Sequence, residues 1–106
     1  MKKERYIVVF VTSPRKSYKR ITRKIVELKL AACVNIIEGI RSRYFWEGKI
    51  CEDKEVLLII KTKGSLFSKL MEEIKKLHPY KVPEIISLPI LKGNREYLSW
   101  IKQSTK

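Results

Sequence analysis

The chain has 106 residues, with 24 basic against 11 acidic side chains and a formal net charge of +13. That length suits one domain, residues 1–106, able to bury roughly 65% of the surface its unfolded chain exposes. No uninterrupted apolar run exceeds Tyr6–Val11, which excludes a transmembrane helix, and Cys33 and Cys51 lack the spacing of a disulfide framework.

The charged start before Tyr6 imitates a signal peptide. Its apolar run is too short and has no small-residue cleavage site, so a cytoplasmic protein is expected. Tyr6 to Val11 is β-branched and aromatic and reads as a buried strand ended by Thr12-Ser13-Pro14. Ser13 suits a helix N-cap, with Pro14 at the first helical position, where its missing N–H costs nothing. Tyr18, Ile21, Ile25 and Leu28 then share one face of a helix running to about Leu30. Lys16, Arg20, Arg23, Lys24 and Glu27 fall on the opposite face, and residues 1–30 carry ten basic and two acidic side chains.

Cys33 to Thr62 reads as one long β-hairpin. Val34, Ile36, Ile40, Tyr44 and Trp46 occupy even positions, with Asn35, Arg41, Arg43 and Glu47 on odd ones, which predicts one apolar face and one polar face. Glu47-Gly48 offers a tight reversal, and Glu52-Asp53-Lys54 a second, looser one. The run Val56 to Ile60 is apolar throughout, so its strand is central and covered on both faces. Strands this long overhang a small domain, and the surplus needs something to pack on.

Gly64-Ser65 opens a second helix, with Phe67, Leu70, Ile74 and Leu77 on one side, and His78-Pro79 stops it. Ile85 to Ile90 is an apolar strand closed by Pro89, which suits an edge or a strand end and not a paired centre. Gly93-Asn94 makes a turn, with Asn94 as N-cap of a last helix from Arg95 to about Gln103. The expected fold is α+β. It is a ferredoxin-like β-α-β-β-α-β sandwich with an extended hairpin between its second and third strands and a short C-terminal helix.

This order is shared with RNA-recognition motifs, but those need aromatics on the third strand, and EVLLIIKT has none. Nucleic-acid binding is therefore not expected despite the charge, and the basic helix face is read as a solvated surface. Cys33, Cys51 and His78 are soft metal donors, and Glu47, Glu52, Asp53 and Glu84 are hard ones, with no two soft donors at a chelating spacing. A histidine before proline more commonly bonds a carbonyl at a helix end. Cys33 with His78 could form a nucleophile pair, yet nothing local supplies an orienting group or an oxyanion nest. The glycines are scattered, so no phosphate loop exists. No enzyme is expected.

Several segments together resemble one family. AACVN, YFWEGK, HPYKVPEI and YLSWI, in this order and spacing, look like the CutA1 divalent-cation-tolerance proteins across nearly the whole chain. The resemblance implies a cytoplasmic homotrimer whose long hairpins extend each sheet across to a neighbour, and an association with tolerance to copper and other divalent cations. It implies no obligatory cofactor, no reaction and no membrane. Carried over by position, the implied metal residues are His78, Cys33, Glu47 and Glu84, and the implied trimer interface is Tyr44, Trp46, Gly48 and Lys49. Tyr80 and Pro83 also match family positions. Val11 and Leu77 stand where copper-binding relatives have cysteine and histidine, and Arg15 and Lys81 where many have acids. The alternative expectation is a regulatory or structural trimer that takes a small anion or a partner protein in its intersubunit clefts.

Overall fold

A computed structural model describes residues 5–106. The charged start, residues 1–4, lies outside the described residues. In chain order the elements are β1 (Tyr6–Ser13), α1 (Tyr18–Glu27), β2 (Cys33–Trp46), β3 (Lys49–Lys63), α2 (Phe67–Leu77), β4 (Ile85–Pro89) and α3 (Arg95–Gln103). A single 3-10 turn, Gly64–Leu66, leads into α2. The strands form one antiparallel sheet in the order β2-β3-β1-β4. That is the expected ferredoxin-like arrangement, with β3 central and β4, carrying Pro89, at an edge.

The helices α1 and α2 pack on one face of the sheet. Ile7, Val9 and Val11 of β1 and Val56, Leu58 and Ile60 of β3 meet Tyr18, Ile21 and Ile25 of α1 and Leu70 and Ile74 of α2. Thr62 joins this layer by donating its hydroxyl to the carbonyl of Leu30 at 2.7 Å. The opposite face is apolar too. Ladder partners share a side, so Val8 with Leu88, Phe10 with Ile86, and Ile37 with Leu57 point away from the helices. Ile37, Ile86 and Leu88 are exposed there. α3 contributes Ile101, fully buried yet outside the main core cluster.

The helix boundaries reflect local competition. β1 runs on to Ser13, which pairs with Val56, and the Ser13 hydroxyl bonds the Pro14 carbonyl. Ser13 therefore does not cap α1. The helix starts four residues later than Pro14, after Ser17, which gives no side-chain cap. Continued ladder pairing outweighed the capping signal. Asn94 behaves as expected, accepting from the Glu96 N–H at 2.9 Å.

The hairpin is where the pattern and the structure part. Glu47 (φ 51°) and Gly48 (φ 78°) both adopt positive φ, as a two-residue turn matched to strand twist requires. No second reversal follows at Glu52-Asp53-Lys54, because these residues lie inside β3, paired with Arg43, Ser42 and Arg41. An exposed ribbon keeps polar side chains hydrated on both faces, so a charged run does not break it. The second correction is a β-bulge between Ile37 and Ile40, at Gly39 (φ 80°). Val34 and Ile36 pair with Ile60 and Leu58 on the helix side, but Ile40 pairs with Glu55. One extra residue thus sends Ile40, Ser42, Tyr44 and Trp46 to the face away from the helices. The even positions do not form one continuous face.

The ribbon beyond the bulge projects from the body. The molecule measures 47 × 26 × 23 Å, with a radius of gyration of 14.6 Å, against about 13 Å for a compact chain of this length.

Candidate functional site

The bulge collects the side chains of one cleft. Ser42, Tyr44 and Trp46 of β2 share a ribbon face with Asp53 and Glu55 of β3. Tyr80, Lys81, Val82 and Glu84 of the loop after α2 close the other side, with Thr12 at the base, around a volume of about 600 Å³. Arg43 also reaches the lining and is held by Glu52 at 3.0 Å.

Two phenol–carboxylate pairs dominate this cleft. The Tyr44 hydroxyl donates to Asp53 Oδ2, and the Tyr80 hydroxyl donates to Glu55 Oε2 at 3.1 Å. The hydrogen bond to Asp53, with burial second, pushes the Tyr44 phenol up to about 12. Burial, followed by the charge of Glu55, pushes Tyr80 up to about 12 as well. Both phenols therefore stay protonated donors. A phenol that holds its proton more tightly when folded adds stability fully below its free value of 10.0 and loses it as pH climbs through about 12. Phenolate absorbance should show Tyr44 and Tyr80 still largely protonated at about pH 11. Asp53→Ala should return Tyr44 toward the ordinary tyrosine range, and an unchanged late titration in that variant would contradict the pairing.

Tyr80 is itself set by His78. His78 is 7% exposed, and its ring lies 4.8 Å from that of Tyr80. The Tyr80 backbone N–H donates to Nδ1 at 3.1 Å, so Nδ1 is the acceptor and Nε2 carries the hydrogen. Nε2 then donates to the Thr12 carbonyl at 2.7 Å. His78 thus ties the end of α2 to β1 and shapes the loop that walls the cleft.

The sequence-derived metal residues do not converge within the chain. Glu84 lines the cleft, and His78 stands behind it with both ring nitrogens engaged. Cys33 is at the far end of the sheet, opposite Lys61, whereas Thr12 is opposite Leu57; along the strand these lie about 13 Å apart. Burial above all, followed by the charge of Cys33, raises the Tyr97 phenol. Glu47 occupies the hairpin turn. Among the described residues no three His, Cys, Asp or Glu side chains gather as a metal site. Tyr44, Trp46, Gly48 and Lys49 are all on the projecting ribbon, exposed. Glu55, the most buried carboxylate of the cleft, escaped the sequence reading. The isolated Gly39 within a strand pattern was the signal that could have located the bulge and hence its register.

Comparison with known proteins follows the same lines. The family model described as "CutA1 divalent ion tolerance protein" matches residues 7–104. The chain is 52% identical over 99 residues to the divalent-cation tolerance protein CutA of Thermus thermophilus, covering 92% of this chain and 96% of that one. It is 55% identical over 101 residues to the chloroplastic CutA 1 protein of Oryza sativa, covering 94% of this chain but 57% of that longer protein. The solved Thermus thermophilus Cut A1 structure superposes with a TM-score of 0.93 at 49% identity, covering 95% of this chain and 99% of that one.

Proposed function

The chain belongs to the CutA1 divalent ion tolerance family, and from that premise we propose that it works as a cytoplasmic homotrimer serving divalent-cation tolerance, copper included, by weak metal contact and without a catalytic reaction. The uncovered sheet face carries this reading. α1 and α2 cover one side, while Ile37, Ile86 and Leu88 stay exposed on the other and the ribbon extends past the body with Tyr44, Phe45, Trp46 and Ile50 exposed. A two-layer domain that leaves its second sheet face apolar needs another layer, and a further copy of the same surface supplies one. Tyr44, Trp46, Gly48 and Lys49 are then assembly residues first.

Metal contact is weak because the donors act singly. Glu84, Glu47 and Cys33 stand at separate places, and His78 joins only by giving up one of its two hydrogen bonds, from the Tyr80 N–H or to the Thr12 carbonyl. Titration with Cu²⁺ and Zn²⁺ beside a His78→Ala variant tests this. Shallow isotherms that agree within about twofold are expected, since a single donor contributes little on its own. Tight, stoichiometric binding lost in His78→Ala would instead make this histidine a ligand. The alternative of a small anion in the clefts is less favoured, because Asp53, Glu55 and Glu84 line the cleft beside Lys81 and an ion-paired Arg43.

A further inference from the structure

The outer face of α1 holds positive charge that the protein does not balance. Lys16, Lys19, Arg20, Arg23 and Lys24 are all exposed, on the helix or in the turn that leads into it. Arg23 pairs with Glu27 at 2.8 Å, but among the described residues no acid pairs with Lys16, Lys19 or Arg20. The first turn contains no acid, so these cations gather at the helix end where the backbone dipole is itself positive. Lys19 with Arg23, and Arg20 with Lys24, are like charges one turn apart, and such pairs repel.

The neighbouring helix α2 is arranged differently. Lys69 pairs with Glu72 and Glu73, and Lys76 bonds Glu73 at 2.8 Å. The Lys76 hydrogen bond above all, with the charges of Lys69 and Lys24 further behind, holds the Glu73 carboxyl below the usual carboxylate range. Interspersed signs of this kind suit a face that meets only water. The excess on α1 is therefore local, a row one helix wide that begins at Lys16 and is closed by Glu27. Tyr18 turns inward to the core, and no aromatic ring is exposed along the row. Single-stranded nucleic acid is commonly held by stacking as well as by charge, and a duplex presents its phosphates on two strands across a broad groove. A chain made of phosphate alone needs only a row of cations.

We propose that the outer face of α1 binds linear polyphosphate. Lys16, Lys19 and Arg20 meet its phosphate groups, and Arg23 joins them by leaving Glu27. The helix packs its other side, Ile21 and Ile25, on the sheet face opposite to the one read as the assembly surface. Association through that bare face leaves the row open, so the proposal is independent of the assembly and metal readings.

The test titrates the full chain with fluorescently labelled linear polyphosphate over a range of salt, beside oligothymidylate and duplex DNA of matched charge. Saturable binding that persists at physiological salt is expected, with log K falling on log salt at a slope of about −3, as four contacts at about 0.7 each require. Lys19→Glu combined with Arg20→Glu should weaken binding at least about tenfold and take about 1.4 off that slope. Both positions are exposed and acids suit a first helical turn, so this variant stays folded. Lys75→Glu combined with the equally exposed Lys92→Glu lowers the net charge by the same amount, yet should leave the affinity within about twofold, because distant charges are screened. Equal loss in the two double variants, binding that vanishes at physiological salt, or oligothymidylate or duplex DNA bound as tightly as polyphosphate would each overturn the proposal.

Discussion

Replacing His78 with alanine is expected to lower stability by about 2–4 kcal/mol, more than any metal affinity it removes. The Thr12 carbonyl and the Tyr80 N–H both lose their partner in a place that water barely reaches. The vacated ring volume adds a cavity between the end of α2 and β1. In a domain of this size the melting temperature should fall on the order of 10 °C. His78→Gln keeps one donor and one acceptor and should recover part of the loss. A His78→Ala protein that melts like the parent would mean the two hydrogen bonds contribute nothing. In addition, the loop from Tyr80 to Glu84 should loosen, seen as faster amide exchange at Tyr80.

Trp46→Glu is expected to break the proposed trimer while leaving the single chain folded. Trp46 is 52% exposed and sits one residue before the turn, paired with Lys49. It contributes nothing to the core cluster beneath the helices. A large aromatic at the centre of an interface commonly carries several kcal/mol, and a carboxylate there would be desolvated without a partner. A rise of about 100-fold or more in the dissociation constant follows, near 3 kcal/mol. Size-exclusion chromatography should show smaller species with an intact far-ultraviolet spectrum. A variant of unchanged size and melting temperature would remove Trp46 from the interface.

The two substitutions also mark what the sequence discloses. Elements with a strong period or cap are legible from it: α2 stops at His78-Pro79, and α3 starts at Asn94. The central place of β3 follows from its apolar run. What hides is register. The single extra residue at Gly39 reverses every side chain after it, so Tyr44 and Trp46 share a face with Asp53 and Glu55 rather than with Val34 and Ile36. The cleft depends on that reversal, and its most buried acid, Glu55, sits at the end of a charged run that looked like a turn. His78 was visible as a candidate ligand and equally as a residue bonding a carbonyl at a helix end. Only the distances to Thr12 and Tyr80 show that both of its nitrogens are engaged. The resemblance supplied the family, and the ladder supplied the cleft.

Native mass spectrometry of the unaltered chain, across micromolar concentrations, tests the assembly most directly. A single species of three 12.6 kDa subunits is expected, with Trp46→Glu shifting it toward monomer. A stable monomer of the parent chain under the same conditions would contradict it.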